Sequence, residues 1–591
     1  MLEANSATEP VQTPVGVWTG SVTHDNQTDP YVISFAPDGT IALRTPVTVG
    51  VGTWAAGEPG RFTYELTETF TPVSGHAGEV RAHVDAHLKN NTTHTGTGSA
   101  KIYTPDGTLV HTTTAESAGE RIADEPAPWH DLVSLGTPMR GRTLHRGDEG
   151  FEEAGSGWLL TVEHRPAAIV VAADADDVSA AVRFAAARKL PIAVESTGHG
   201  RSVPADGAVF IATEELRELS VDPQARTARI GAGLRWDEVI SAAADHGLAP
   251  LCGSSEQVGV MGYLTGGGLP LTCRTHGFAA DHVRSLDVVT ADGSVRTVSP
   301  TQEHDLFWAV RGGGSNFGVV TSAEIDLVPL SSVYAGELCY AGEDPAQAAL
   351  VVRSYLVWAK EQPDEMSSSV TLVRLPDVPE QPDEVRGRSL VQVHIVYTGD
   401  ETHGARLVEP LRALAPETDT VAATPYRQIT ELHHDPKHPV RVHFRSALLD
   451  EPSDVAVKAL VSFIDPASAP EGLFPGIELR HLGGALSRPP ARPHAVDARD
   501  AAFLLWVRVP LPDGETAPAR GLADDVLDRL RPWDTGALLP GFLFDHDSDP
   551  ERVRRAYSES DHRRLTELKA EYDPHNLFRV NHNIRPVGDG A

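Results

Sequence analysis

Hydrophobic and polar positions along the chain follow two regimes. From residue 15 to about 122 they alternate in short runs with no 3.6-residue period, the pattern of half-buried strands. Tyr31-Val-Ile-Ser-Phe35 and Ile41-Ala-Leu-Arg44 flank Pro37-Asp38-Gly39, and Lys101-Ile-Tyr103 and Thr108-Leu-Val-His111 flank Pro105-Asp106-Gly107. Each is two strands around a turn, so a small antiparallel barrel or sandwich is expected. Arg81 to Leu88 alternates most regularly, with His83, Asp85 and His87 opposite Ala82, Val84, Ala86 and Leu88. His-x-Asp-x-His can ligate a metal, but a strand showing its polar face to water gives the same spacing. With no third ligand source in the sequence, no metal is expected.

From Arg165 the regime changes. Ala168-Ile-Val-Val-Ala172 is a short apolar strand, Asp176-Asp177 is expected to cap a helix from Val178 to Lys189, and Pro191-Ile-Ala-Val194 is the next strand. Ala208-Val-Phe-Ile211 and Ala228-Arg-Ile230 read as strands, and a helix after Trp236 ends near Gly247. Farther on, strands by composition (Leu390 to Tyr397, Ala501 to Val509) mix with helices by periodicity (Asp344 to Lys360, Asp400 to Leu414). Residues 123–157 are rich in Pro, Gly and charge and read as a linker with the first helix of the next domain.

Composition narrows the function. The chain has 591 residues and a formal net charge of −32, which argues against nucleic acid and anionic membrane as partners. No apolar run approaches the roughly 20 residues of a membrane helix. The first residues, MLEANSATEPVQTP, carry neither a basic n-region nor an apolar h-region, so a cytoplasmic protein is expected. The three cysteines, Cys252, Cys273 and Cys339, are too few for a disulfide framework.

The candidate chemistry lies in glycine. Gly253, Gly259, Gly262, Gly266, Gly267 and Gly268 fall within sixteen residues. Such density is costly inside a helix or strand and suits a backbone whose N–H groups lie against a pyrophosphate. The segment lies between Glu195-Ser-Thr-Gly-His-Gly-Arg-Ser202 and Arg311-Gly-Gly-Gly-Ser-Asn-Phe-Gly-Val-Val-Thr321.

These motifs, in this order with Gly231-Ala-Gly-Leu-Arg-Trp236 and the closing Tyr572-Asp-Pro-His-Asn-Leu-Phe-Arg-Val-Asn-His-Asn583, resemble the FAD-linked oxidases related to berberine bridge enzyme and vanillyl-alcohol oxidase. The resemblance implies a PCMH-type α+β FAD-binding domain over 158–335, an α+β substrate domain with an antiparallel sheet over 336–545, and a segment 546–591 returning to the FAD domain. Gly16-Val-Trp18 and Gly52-Thr-Trp54 resemble the strand starts of lipocalin-like barrels, which assigns 1–122 to such a barrel.

In the resembled family His199 matches the histidine bonded covalently to the flavin. Ser255 stands where many relatives carry a second, cysteinyl link, so one covalent bond is expected, with Cys252 and Cys273 as apolar fillers. Ser196, Thr197, Gly198, Gly200, Ser255, Val258, Gly259, Gly262, Gly266, Gly267, Asp281, Gly318, Val319, Asn581 and Asn583 match cofactor-contacting positions. Pro270 departs from the family's Gly-Gly-Gly-x-Gly and removes an N–H donor there.

Oxidation at carbon calls for hydride removal and a base. Phe544 stands where many relatives supply a tyrosine, and phenylalanine cannot move a proton. His481, Arg480, His394 and Tyr397 are the candidate catalytic groups. His394 and Tyr397 are three apart on one strand and face opposite ways, so only one can point at the flavin. The runs His433-His434-Asp435 and Asp545-His546-Asp547 read as solvated loops. The expected activity is an FAD-linked oxidase acting on a small organic molecule, such as a secondary-metabolism intermediate, with dioxygen giving hydrogen peroxide. The alternatives are a cyclase or isomerase with a redox-silent flavin, and a carrier protein.

Overall fold

The computed structural model describes residues 13–45, 48–70, 78–127, 130, 139–200, 202–379, 381–467, 472–511, 516–544 and 547–588. The expectation about an export signal falls mostly on residues 1–12, outside them, as do Asp545 and His546. The chain divides into two compact units, 1–148 and 149–591.

The first unit is a closed antiparallel barrel of eight strands: β1 (Gly16–His24), β2 (Gln27–Phe35), β3 (Thr40–Arg44), β4 (Thr48–Ala56), β5 (Arg61–Phe70), β6 (Glu79–Leu88), β7 (Thr93–Tyr103) and β8 (Leu109–Ala123). Neighbours in sequence pair, and β1 closes on β8. Trp18, Ile33, Phe35, Ile41, Phe62, Tyr64 and Leu66 fill the interior. On β6, Val84, Ala86 and Leu88 point inward while His83, Asp85 and His87 are exposed, so this is a strand with its polar face in water. Among the polar groups enclosed there, the His94 Nε2 lies 3.1 Å from the Tyr31 hydroxyl. Its ring meets Trp18 edge-on at 5.0 Å.

The second unit opens with three parallel strands, Ala168–Val171, Ile192–Glu195 and Val209–Ala212. The helix after the first of these spans Ala175–Arg188, and its cap is Asp174, not Asp176-Asp177: the Asp174 carboxylate accepts from the backbone N–H groups of Asp176 and Asp177. A five-stranded antiparallel sheet follows, in the order Leu219–Asp222, Thr227–Gly231, Val319–Asp326, Val283–Val289, Val295–Val298.

A larger antiparallel sheet runs Ser332–Ala341, Ser389–Tyr397, Met366–Arg374, Gly476–His481, Phe503–Pro510, Val442–Leu449. The helices Pro345–Lys360, Glu401–Arg412, Asp454–Ser462 and Thr516–Leu530 supply Val352, Tyr355, Val408, Val457, Leu460 and Val526 to one core with the sheet's Val391, Val393, Ile395, Leu479 and Leu505. Because side chains alternate across a strand, the intervening residues face the other way, toward the site.

The C-terminal helix Glu559–Tyr572 holds a fully buried lysine. The Lys569 ammonium donates to the Asn316 carbonyl at 2.7 Å, the Phe578 carbonyl at 2.9 Å and the Asp573 carboxylate at 2.7 Å.

Two measurements probe these interiors. Lys569→Ala strands a buried carboxylate and is expected to cost about 3–5 kcal/mol in denaturant unfolding. Burial drags the His94 pKa from 6.5 down to about 4. A depressed histidine adds stability that is present above the unfolded value and lost as pH falls toward the folded one. The barrel should therefore weaken by up to about 3 kcal/mol between pH 6.5 and 4. His94→Gln should remove that slope.

Candidate functional site

The site grows from where the glycine segments land. They wall one side of a cleft of about 1690 Å3 in the second unit. A drug-sized ligand needs roughly 300–1000 Å3, so this cleft has room for an extended cofactor and a substrate together.

The strand Ile192–Glu195 delivers Ser196 to Gly200 into the wall. Gly198 takes φ of +72°, and a Cβ there would lie 2.6 Å from the Gly157 Cα. The Gly259 N–H donates to Thr197 Oγ1 at 3.2 Å, tying this loop to the start of the helix Val260–Thr265. On that helix Gly262 faces open cleft, with nothing within 4 Å of where a Cβ would stand. Gly266, Gly268, Gly312 to Asn316, Gly318 and the tail residues Val580 to His582 complete the wall.

His199 sits within it. Its Nδ1 is 2.9 Å from the Thr197 hydroxyl, and its ring stacks on Trp158 at 4.4 Å and 15°. Its Nε2 is buried without a partner. Burial first, and then the Arg235 guanidinium, bring its pKa down to about 3, so the imidazole is neutral. The buried polar atoms Ser196 Oγ, Trp158 Nε1, Tyr263 OH and Asn581 Oδ1 also lack partners. Each such orphan costs about 1–3 kcal/mol. Unpaired polar atoms beside open glycine faces fit a polar, extended ligand such as FAD.

Ser255, Val258 and Gly259 line the cleft with the residues above; Gly267, Asp281, Val319 and Asn583 do not. Gly267, at φ +100°, turns toward Val496. Asp281 accepts from the Phe278 N–H at 3.0 Å and pairs with His494 and Arg499, which makes it a brace for the loop behind the wall. Pro270 also lies off the cleft, and its carbonyl accepts from Cys273. The positive φ angles fall on Gly267 and Gly268, so the proline meets no conformational conflict. Cys252 is fully buried against Tyr426, with its thiol pushed up to about 11 by burial.

The facing wall is the outer face of the large sheet, and its register sets side chains in rows. Cys339, Gln392, Thr371, Glu478, Trp506 and Ser446 are successive cross-strand partners; Glu337, His394, Ser369 and Arg480 form the next row. Tyr397 has the opposite parity: it sits in the helix-side core and its hydroxyl meets His403 Nδ1 at 2.8 Å. Arg480 lines the cleft, and its Nε and an Nη donate to one Glu478 oxygen at 3.1 Å. His394 and His481 line a small adjoining cavity instead. Burial, with the Arg274 charge, brings the His481 pKa to about 3.

Two loop readings need correction. His433 and Asp435 line the cleft rather than face bulk solvent. His433 stacks on His394 at 4.2 Å and 16°, and Asp435 accepts from Ser254 Oγ at 2.6 Å. Asp547 is buried, and its carboxylate accepts from the Phe544 N–H at 3.1 Å and from Arg552. Phe544 stacks on Phe444 at 4.7 Å, Phe444 on Trp506 at 5.6 Å, and Phe542 meets Trp506 edge-on at 5.7 Å, an aromatic side to the cleft. The Arg508 guanidinium covers Trp506 at 4.9 Å. Strand parity from His394 would have found Gln392, and it sets Trp506 and Arg508 on one face. The His-His-Asp run is visible in the sequence, but no pattern there marks His433 as facing a cleft.

Known proteins resemble this chain in sequence and in structure. A family model described as an FAD binding domain matches residues 166–299, and one described as berberine and berberine like matches 536–585. The (R)-6-hydroxynicotine oxidase of Paenarthrobacter nicotinovorans is 30% identical over 474 residues, 77% of this chain and 99% of that one. The crystal structure of 6-hydroxy-D-nicotine oxidase from Arthrobacter nicotinovorans superposes with a TM-score of 0.66 at 26% identity, over 76% of this chain and 98% of that one. A chitooligosaccharide oxidase shares the fold, with a TM-score of 0.68 at 21% identity over 77% and 99%.

Two glycine variants separate cofactor space from folding. Gly262→Leu fills open cleft and should lower the flavin absorbance per protein at least about tenfold while the unfolding midpoint holds. Gly198→Ala, strained at positive φ, should lose both.

Proposed function

Because the chain belongs to the family of FAD-linked oxidoreductases related to berberine bridge enzyme, we propose that it tethers FAD covalently through His199 and oxidises a small, hydroxylated ring compound with dioxygen as acceptor. The family makes it an FAD-dependent oxidoreductase; the tether, the substrate class and the residue roles are this reading's own. Bound FAD would supply hydride acceptance from carbon and reoxidation by dioxygen to hydrogen peroxide.

His199 carries the reading. A neutral imidazole with an unpartnered Nε2, flanked by Gly198 and Gly200, keeps a lone pair available for a bond to carbon. Trp158 fixes the plane of the ring. Ser196, Thr197, Ser255, Val258, Gly259, Gly262, Gly266, Gly318 and Asn581 would surround the cofactor by backbone and hydroxyl contacts. Gly267, Asp281, Val319 and Asn583 would hold those segments from behind.

Substrate would enter against the sheet wall. Phe544, Phe444, Trp506 and Phe542 favour a flat ring, and Arg480 and Arg508 hold hydrogen-bonding groups at its edge. A hydroxynicotine oxidase and a chitooligosaccharide oxidase are among the similar proteins, and both names point to hydroxylated rings. Since these relatives are oxidases, a redox-silent cyclase is not favoured.

Acid precipitation tests the tether: the wild-type pellet should stay yellow, and His199→Ala should release its flavin to the supernatant. Anaerobic mixing with a panel of aromatic alcohols, phenols and oligosaccharides tests the oxidation, since a substrate must bleach the flavin band. A wild-type pellet without colour would sink the tether, and a panel without bleaching would sink the substrate class.

A further inference from the structure

The oxidation needs a proton acceptor, and the position of the expected tyrosine is filled by Phe544, which has none to offer. The other tyrosines and histidines that line the cleft are committed or unsuitable. The Tyr557 hydroxyl donates to the Gly312 carbonyl at 3.0 Å, and burial pushes its pKa well above 10. Burial likewise raises Tyr263 far above the usual phenol value. His164 pairs with Glu195, His199 with Thr197, and His582 meets the Phe544 carbonyl at 3.0 Å. His434 is exposed. Arg480 and Arg508 carry guanidinium groups, which donate and cannot accept.

His433 is differently placed. Among the described residues, it and Arg480 are the two that line both the cleft and the small cavity behind it. That cavity, about 20 Å3, is bounded by Ser367, Ser369, His394 and His481, whose Nδ1 has no partner. The volume and polarity suit one water molecule. The His433 ring lies flat on His394, whose Nε2 is 3.2 Å from the Glu337 carboxylate and whose Nδ1 is 3.4 Å from Ser369 Oγ. Glu337 also accepts from Gln392 at 3.0 Å.

We propose that His433 is a catalytic residue, the proton acceptor for the hydroxyl of the substrate, with His394 and Glu337 as its positioning residues and the small cavity as the way out for the proton. The inference rests on the oxidase reading above. Bound FAD would supply the acceptor for the hydrogen that leaves the substrate carbon with its bonding pair. The O–H bond breaks with its electrons left on oxygen, where a lone pair completes the carbonyl. The proton binds a His433 ring nitrogen and leaves through a water in the small cavity. A CH–OH group thus becomes C=O with one hydride and one proton accounted for.

The surroundings of the ring set its resting state. Burial holds His433 well below the usual imidazole value; His394, Arg480 and Arg508 push the same way, and Glu478 opposes them. His433 therefore waits neutral, able to accept. Burial would raise Glu337, but His394, the charge of His434 and the Gln392 hydrogen bond together hold its carboxyl below the usual value, so the carboxylate steadies the pair.

The test uses the flavin-loaded full chain and 4-nitrophenol, a phenol whose ionised form absorbs visible light. Difference spectra across a pH titration give the ionisation midpoint of the bound probe. The wild type should ionise it at about tenfold lower pH-dependent cost, one pH unit, than His433→Gln. His394→Asn should recover only part of the wild-type shift, and imidazole added to His433→Ala should restore it. The flavin band reports that each variant is folded. Equal midpoints for wild type and His433→Gln, or a probe that never binds the wild type, overturn the proposal. A persistent shift without bleaching by any alcohol leaves the proton acceptor standing and removes the oxidase substrate class instead.

Discussion

The glycine wall depends on a buried ammonium. Taking a lysine out of water costs several kcal/mol unless each of its N–H groups finds an acceptor. Lys569 finds three, and each belongs to a segment that must be placed: Asn316 follows the glycine turn, Phe578 opens the tail, and Asp573 ends the last helix. The Asn316 side chain extends the tie, donating to the carbonyls of Gly313 and His582 and accepting from Ile584 N–H. Gly312 to Gly318 and Val580 to His582 reach the cleft together because one cation holds both. Arg311 acts likewise on the other flank, donating to the carbonyls of Phe307, Ala280, Arg492 and Pro493.

This division of labour explains the two unlike walls of the cleft. Where a phosphate-bearing cofactor is to lie, side chains are absent, and cations buried behind the backbone give the chain its path. Where a substrate is to lie, a regular sheet presents side chains at fixed spacing. Charges on that side are paired within the wall: Arg480 with Glu478, Arg508 with Asp435, His394 with Glu337.

The parts legible in the sequence were those whose chemistry demands a particular residue type. Gly198, Gly262 and Gly318 could be read because a side chain would collide or block. The hairpins of the barrel could be read because Pro-Asp-Gly has one good use between alternating runs. Strand parity alone sets His394 and Tyr397 on opposite faces. His433 stayed hidden because it lies in an irregular loop, and its place depends on stacking against a strand some forty residues away in sequence. Asp281 matched a motif yet serves as a brace, since a carboxylate flanked by His494 and Arg499 is recognisable only in three dimensions. The helix cap moved from Asp176 to Asp174 for a local reason: three nearby aspartates compete, and extended backbone at Asp174 decides between them.

The rows across the large sheet carry a consequence for how such a protein can change its diet. Thr371, Gln392 and Trp506 touch the cleft side, while Leu372, Val391, Val393, Leu505 and Val507, next to them along each strand, grip the helices. Substitutions at alternate positions can therefore recolour the surface that meets a molecule while the load between sheet and helices stays as it was. A lineage could explore new substrates in steps of one side chain, each nearly silent in stability, so long as the odd and even registers of those strands are kept apart.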